Sequence, residues 1–297
     1  MNNFDDILNN TPEQEQNGEQ QFSKEDYAAK KRAERDDLFA LSSDTASEVA
    51  NDGGKFRQYM DVQSQFDRYS AVNSLLILAQ NPEATRLGSF DHWKNKNASV
   101  KTGETGISIL EPHEYTKEDG KPGVGYNVKK VFDISQVHTQ KMTPDPAPPK
   151  HSERQIMAAL VHRSPVQING VDALAGGAGA QTNPDTGEIS VRRGMEFTDA
   201  FSSVSKELAA AELNTKDEPR IDKDFSAYCV SYLLCKKHGV DTSNYNFSEV
   251  GKVFEYLDAQ EMKGEFQTIR DTFSDISSRM NKQLESLQKT ARNNEAR

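Results

Sequence analysis

Cysteine is scarce: the 297-residue chain has two, Cys229 and Cys235. Six positions apart on one predicted helix, they fall on different faces, so a mutual disulfide is not expected. Both read as small core residues of a reducing cytoplasm. Long apolar runs are absent too. No stretch of about 18 apolar residues occurs, so no membrane span is expected. The start, Met1-Asn2-Asn3-Phe4-Asp5-Asp6, has neither the basic beginning nor the apolar centre of a secretory signal. Positive charge is not in excess: Asp and Glu number 46 against 36 Lys and Arg, for a net charge of -10. That balance argues against nonspecific coating of duplex DNA by the whole molecule. Tryptophan occurs once, as Trp93.

What is present is unevenly spread. Residues 1–40 hold 5 basic and 10 acidic side chains, whereas residues 53–141 hold 12 basic and 10 acidic. An acidic protein can therefore carry a locally basic groove. Residues 1–22 are rich in Asn, Gln and Glu and are expected to be disordered. Ser23-Lys24-Glu25-Asp26 predicts the start of a helix. Further helices are predicted over about 55–68 and 72–80, the latter ended by Asn81-Pro82. Ser99–Lys101, Ile107–Leu110 and Tyr126–Ile134 alternate as strands, with Glu118–Gly123 as a turn. Residues 142–150 contain Pro144, Pro146, Pro148 and Pro149 and are read as a linker between two domains, 23–141 and 151–248. Beyond it the pattern predicts a helix over about 153–162, short strands near 166–171 and 188–191, and a turn at Asn183–Gly187. Two long helices follow, over about 197–213 and 225–238, then a charged helical tail over 249–297. The expected class is α+β, a mixed helix and antiparallel-sheet domain followed by one with a small sheet and long helices.

The stretch from Tyr69 to Lys101 interleaves aromatic and basic residues. Single-stranded nucleic acid needs that mixture, because aromatic faces stack on unpaired bases and cations neutralise phosphates. Phe90, His92 and Trp93 with Arg86, Lys94, Lys96 and Lys101 are candidate contacts, and Lys129 and Lys130 extend the positive path. Phe90 and Trp93 are the proposed base platforms and the cations the phosphate contacts. The alternative is that Phe90 and Trp93 are core anchors and the lysines are solvated.

Five motifs in this region carry a resemblance. They are Tyr69-Ser70-Ala71-Val72-Asn73-Ser74-Leu75-Leu76-Ile77, Gln80-Asn81-Pro82-Glu83-Ala84-Thr85, Phe90-Asp91-His92-Trp93, Val100-Lys101-Thr102-Gly103-Glu104-Thr105-Gly106-Ile107 and Val131-Phe132-Asp133-Ile134-Ser135-Gln136. In this order they resemble the N-terminal domain of ArdC-type antirestriction proteins, the LtrC-like relatives from mobile elements of Gram-positive bacteria in particular. Residues around Gly177–Ala180, Ile189, Phe201–Glu212 and Tyr232–Ser243 resemble the zincin-like domain that follows in that family. The resemblance implies single-stranded DNA binding by the first domain and protection of incoming plasmid or transposon DNA. In members that keep the metal motif it also implies a metallopeptidase.

Zincins of the gluzincin type present His-Glu-x-x-His on a helix, with zinc on the two histidines and the Glu as general base. The matching helix here reads Lys206-Glu207-Leu208-Ala209-Ala210. Glu207 stands at the base position, while Lys206 and Ala210 replace both histidines. The later helix, from Phe225, has no carboxylate at its inward start. No metal, no cofactor and no peptidase activity are therefore expected. Lys206 is expected to pair with a carboxylate further along the chain. Other readings are a peptidase with relocated ligands and a module that docks on a host or element-encoded protein through the C-terminal domain.

Overall fold

Leu38, Ser42, Thr45, Ala46, Val49 and Ala50 recur at the spacing of one helical face, and they form the buried side of α1, Lys24–Asn51. Asp52 ends one helix and starts the next: its side chain accepts from Lys55 N at 2.8 Å and caps α2, Gly53–Gln65. Ser70 caps α3, Ala71–Gln80, accepting from Asn73 N at 3.2 Å. The computed structural model describes residues 24–117, 119–145, 149–215 and 221–295. The polar N-terminal stretch, the cap expected at Ser23, and Pro146 and Pro148 of the expected linker lie outside these residues.

After α3 come β1, Leu87–Gly88, α4, Phe90–Asn95, and β2, Ser99–Val100. Two long strands follow, β3, Ile107–Thr116, and β4, Pro122–Asp133, then a 3-10 turn at Ile134–Gln136 and β5, Val137–His138. β3 and β4 pair antiparallel from Ile107↔Val131 out to Thr116↔Pro122, with β1 on the other edge of β4. β2 pairs with β5. The hairpin runs further than sequence alternation predicts. Its outer part is exposed and has no apolar face to bury. Instead, His113 lies opposite Gly125 and Tyr115 opposite Gly123, each ring packed over the glycine across the strand.

The free edge of β3 is covered by side chains of α3. Asn73 donates to Leu110 O and accepts from Leu110 N, both at 2.9 Å. Seven residues on, Gln80 donates to Ser108 O at 2.9 Å and accepts from Ser108 N at 2.8 Å. Two turns of helix thus bring two amides to alternate residues of the strand, where they act as a neighbouring strand would.

The second half begins with α5, Glu153–Val161, capped reciprocally by Ser152 and Gln155. Strands β6, Ile168–Val171, β7, Ala180–Thr182, and β8, Ile189–Arg192, form a small sheet of order β6-β8-β7. Next come α6, Phe197–Leu213, and α7, Lys223–His238, closed by Gly239 at φ 68°. A short α8, Val250–Val253, precedes the long α9, Ala259–Glu295. Charged and polar residues dominate α9 in sequence, yet Met262, Phe266, Ile269, Phe273, Ile276, Met280 and Leu284 are buried along one stripe.

The largest apolar core lies across the Pro-rich segment. Phe56, Tyr59 and Met60 of α2 and Leu75 of α3 join Phe201 and Leu208 of α6, Val230 and Leu233 of α7, and Phe266 and Phe273 of α9. Each such side chain contributes about 1.5–3 kcal/mol on burial. The architecture is α+β, as the sequence predicts. No helix among the described residues is long and apolar enough to cross a membrane.

Candidate nucleic-acid interface

A cleft of about 920 Å³ opens where α1, the turn between α2 and α3, the β3–β4 sheet and the start of α9 meet. Phe39, Tyr69 and Tyr126 supply aromatic surface, and Arg68, Lys129, Lys263 and Arg270 supply positive charge. Among the described residues lining it, Glu111 is the one carboxylate, and Lys129 pairs with it. Tyr126 is 37% exposed, and its ring meets Phe39 edge-on at 5.6 Å between centroids. Tyr69 is more withdrawn, and burial raises its hydroxyl pKa. Arg68 is exposed and forms no ion pair among the described residues.

α9 builds one wall and holds the turn that carries Arg68 and Tyr69. Arg270 Nε donates to Tyr69 O and Nη2 to Asp67 O, both at 3.0 Å, while Nη1 pairs with Asp271 at 2.9 Å. Gln267 accepts from Ala71 N at 3.0 Å. One helix thus fixes three consecutive parts of the turn through charged and amide groups.

The residues singled out in the sequence divide. Trp93, expected to stack on a base, is a correction: it is 1% exposed and its indole N–H donates to Phe132 O at 3.0 Å. It packs with Ala98 and Val137, and at Gly88 a Cβ would meet the rings of His92 and Trp93 within 3 Å. A buried indole presents no face to a ligand. Phe90, in contrast, is 58% exposed, but it does not line the cleft. His92 and Lys129 do. Arg86 and Lys96 both pair with Asp145, at 3.2 Å for Arg86, and the Lys96 hydrogen bond holds the Asp145 carboxyl below its ordinary pKa. Lys101 Nζ donates to Ser135 O at 2.7 Å and Lys130 Nζ to Gly106 O at 3.0 Å. Lys94 is exposed at the end of α4. These five cations therefore edge the same domain without lining the cleft.

Asp133, in the last of the five motifs, is buried and organises this edge. Its carboxylate accepts from Thr85 N, Arg86 N and Ser135 N at 2.7–2.9 Å. Burial alone would raise its pKa, but the donors outweigh it and the carboxyl lies below its ordinary value.

Sequence reasoning missed Arg68, Phe39, Lys263 and Arg270, and it used Tyr126 only to mark a strand. A signal existed for the α9 residues. Gln260, Lys263, Gln267 and Arg270 recur at helical spacing as a polar stripe beside the apolar one.

In the second half, Glu207 is held by the sheet: one oxygen accepts from Thr182 N at 2.9 Å and from the Thr182 hydroxyl. Lys206 lies 3.9 Å from Asp224, and both are partly exposed. α7 begins at Lys223 rather than Phe225, so its first turn does carry a carboxylate, and this carboxylate meets the ammonium. An exposed pair of this kind contributes about 0–1 kcal/mol. A protonated amine and a methyl group cannot ligate a metal, so Lys206 and Ala210 do not fit one. Among the described residues no cluster of three or more His, Cys, Asp or Glu could hold an ion.

Residues 44–145 match the family model for the N-terminal domain of the anti-restriction factor ArdC. The Mn(II)-bound crystal structure of the antirestriction ArdC protein from plasmid R388 superposes with a TM-score of 0.52. It covers 82% of this chain and 98% of that one at 11% identity, a likeness of fold. An uncharacterized Bacillus anthracis protein, pXO2-81, is 23% identical over 78% of this chain. The chain spans about half the length (48%) of that relative. The chain therefore carries an ArdC-type N-terminal domain over residues 44–145, within a molecule that shares the ArdC fold over most of its length.

Proposed function

We propose that this protein binds single-stranded DNA along the cleft and serves an antirestriction role for plasmid or conjugative-element DNA, with a second half that is an inactive peptidase frame. The cleft carries the proposal: among the described residues, aromatic faces and four cations converge there with a single carboxylate, which is already paired. Unpaired bases need the faces and the phosphates need the cations. A cleft flanked by a helix and a two-stranded ribbon suits a flexible strand better than a rigid duplex, whose bases are stacked away. The family match supports the antirestriction role, since it covers α3 and the β3–β4 sheet that form much of the cleft.

Tyr126→Ala is expected to weaken binding of a single-stranded oligonucleotide by about 1–3 kcal/mol, the usual cost of one lost stacking platform. Arg68→Ala is expected to lower the slope of log affinity against log salt by about 0.7, one phosphate contact. Titrations of both variants by fluorescence anisotropy check this, and unchanged affinity in both would remove the cleft from the binding site.

The inactive-peptidase reading rests on three features of one helix. Lys206 and Ala210 stand at ligand positions, and one oxygen of the Glu207 carboxylate is already engaged by Thr182. Elemental analysis of the purified protein is expected to find no stoichiometric zinc or manganese. One metal ion per chain would overturn this part of the proposal.

A further inference from the structure

Lys263 is the least exposed cation on the wall of the cleft, at 7%. A buried ammonium is costly unless it is paired and hydrogen-bonded. Here it donates to Ser43 Oγ at 2.9 Å and forms no ion pair among the described residues. An ammonium has three donors, so two are left for another group. Burial lowers its pKa, and the through-space attraction of Asp258 only partly offsets this. The neighbouring residue on the same wall is Gly264, exposed in the interior of α9. Glycine there costs about 0.5–1 kcal/mol relative to alanine, and it leaves no side chain over the cleft beside the ammonium. Arg68, which forms no ion pair among the described residues, and Arg270 share the cleft. An anion entering it meets an excess of positive charge and a buried, incompletely bonded donor.

We propose that Lys263 anchors a phosphate-binding subsite in the cleft, so that the C-terminal helix contacts the ligand directly as well as shaping its wall. The phosphate is a backbone phosphate of the bound strand if the single-stranded DNA reading holds, and the subsite otherwise takes the phosphate of a small molecule by the same chemistry.

The test uses the full chain with Lys263→Met, Lys263→Gln and Lys263→Arg. In anisotropy titrations across salt, the Met and Gln variants are expected to bind a single-stranded oligonucleotide roughly tenfold more weakly, the loss of one charged hydrogen bond. Their salt slope should fall by about 0.7, and the Arg variant should keep it. Inorganic phosphate should raise the melting midpoint of the natural protein and of the Arg variant but not of the other two. If the natural protein binds the oligonucleotide and the Met and Gln variants match it in affinity and slope, the subsite is overturned and the DNA reading stands. If the natural protein ignores DNA while phosphate stabilises it through Lys263, the subsite stands and its ligand is a small phosphate. If neither DNA nor phosphate binds, both readings fall. Should the Met and Gln variants not fold, acetylation of Lys263 in the natural protein, read by mass spectrometry, decides the subsite: phosphate should slow it at matched ionic strength, and an unchanged rate overturns the proposal.

Discussion

Trp93→Ala is expected to lower the stability of the protein by roughly 3–5 kcal/mol, the range for removing a large buried aromatic. For a chain of this size that corresponds to a fall of roughly 10 °C in melting midpoint. The indole packs between α4, β2 and β5 against Ala98 and Val137 and donates to the Phe132 carbonyl. Trp93→Phe should cost less, because one aromatic ring is kept, although part of the packing is lost and the Phe132 carbonyl loses its donor, about 1–3 kcal/mol. Calorimetry or thermal circular dichroism separates the two. A Trp93→Ala protein that melts like the natural one but no longer binds DNA would restore Trp93 as a base platform and contradict its assignment to the core.

Arg270→Ala should have the largest effect on binding of any change that leaves the sheet side of the cleft untouched. The guanidinium bridges two carbonyls of the turn that presents Arg68 and Tyr69, and it does so from a helix some 200 residues away in sequence. Hydrogen bonds made by charged groups contribute about 1.5–3 kcal/mol each, so at least a tenfold loss of single-stranded DNA affinity is expected. Arg270→Lys should not rescue it, because an ammonium on a flexible stem does not reproduce the planar fork. Hydrogen exchange over residues 67–71 should quicken in both variants while the lower part of α9 stays protected. Normal affinity with a loosened turn would mean that Arg68 and Tyr69 take no part in binding.

Much of the architecture was legible because its signals are local. Apolar spacing and the Asn81-Pro82 stop place helices from side chains only three or four residues away. The α+β class and the ArdC likeness followed from such pieces in order. The outer half of the β3–β4 hairpin was not legible, since its pairing is supported by rings over glycines rather than by alternation. The role of Trp93 was left open by composition, because an aromatic among lysines reads the same whether it faces out or in. Burial of the indole against β5 decides it, and that contact joins residues more than 40 apart. The cleft was only partly readable. Tyr69, His92 and Lys129 were marked by the basic and aromatic stretch and its extension, but Arg86 and Lys96 are drawn off by Asp145. The α9 stripe of Gln260, Lys263, Gln267 and Arg270 carried a periodic signal, yet nothing local says which surface it faces.

The central claim is that a cleft in an acidic protein selects single-stranded DNA. The most direct measurement is fluorescence anisotropy of a labelled oligonucleotide against the purified chain, single strand and matching duplex side by side, over a range of salt. The structure predicts binding to the single strand that weakens steadily with salt, with a log–log slope of about 0.7 for each phosphate held, and far weaker binding to the duplex. Equal affinity for both forms, or no binding to either at low salt, would contradict it.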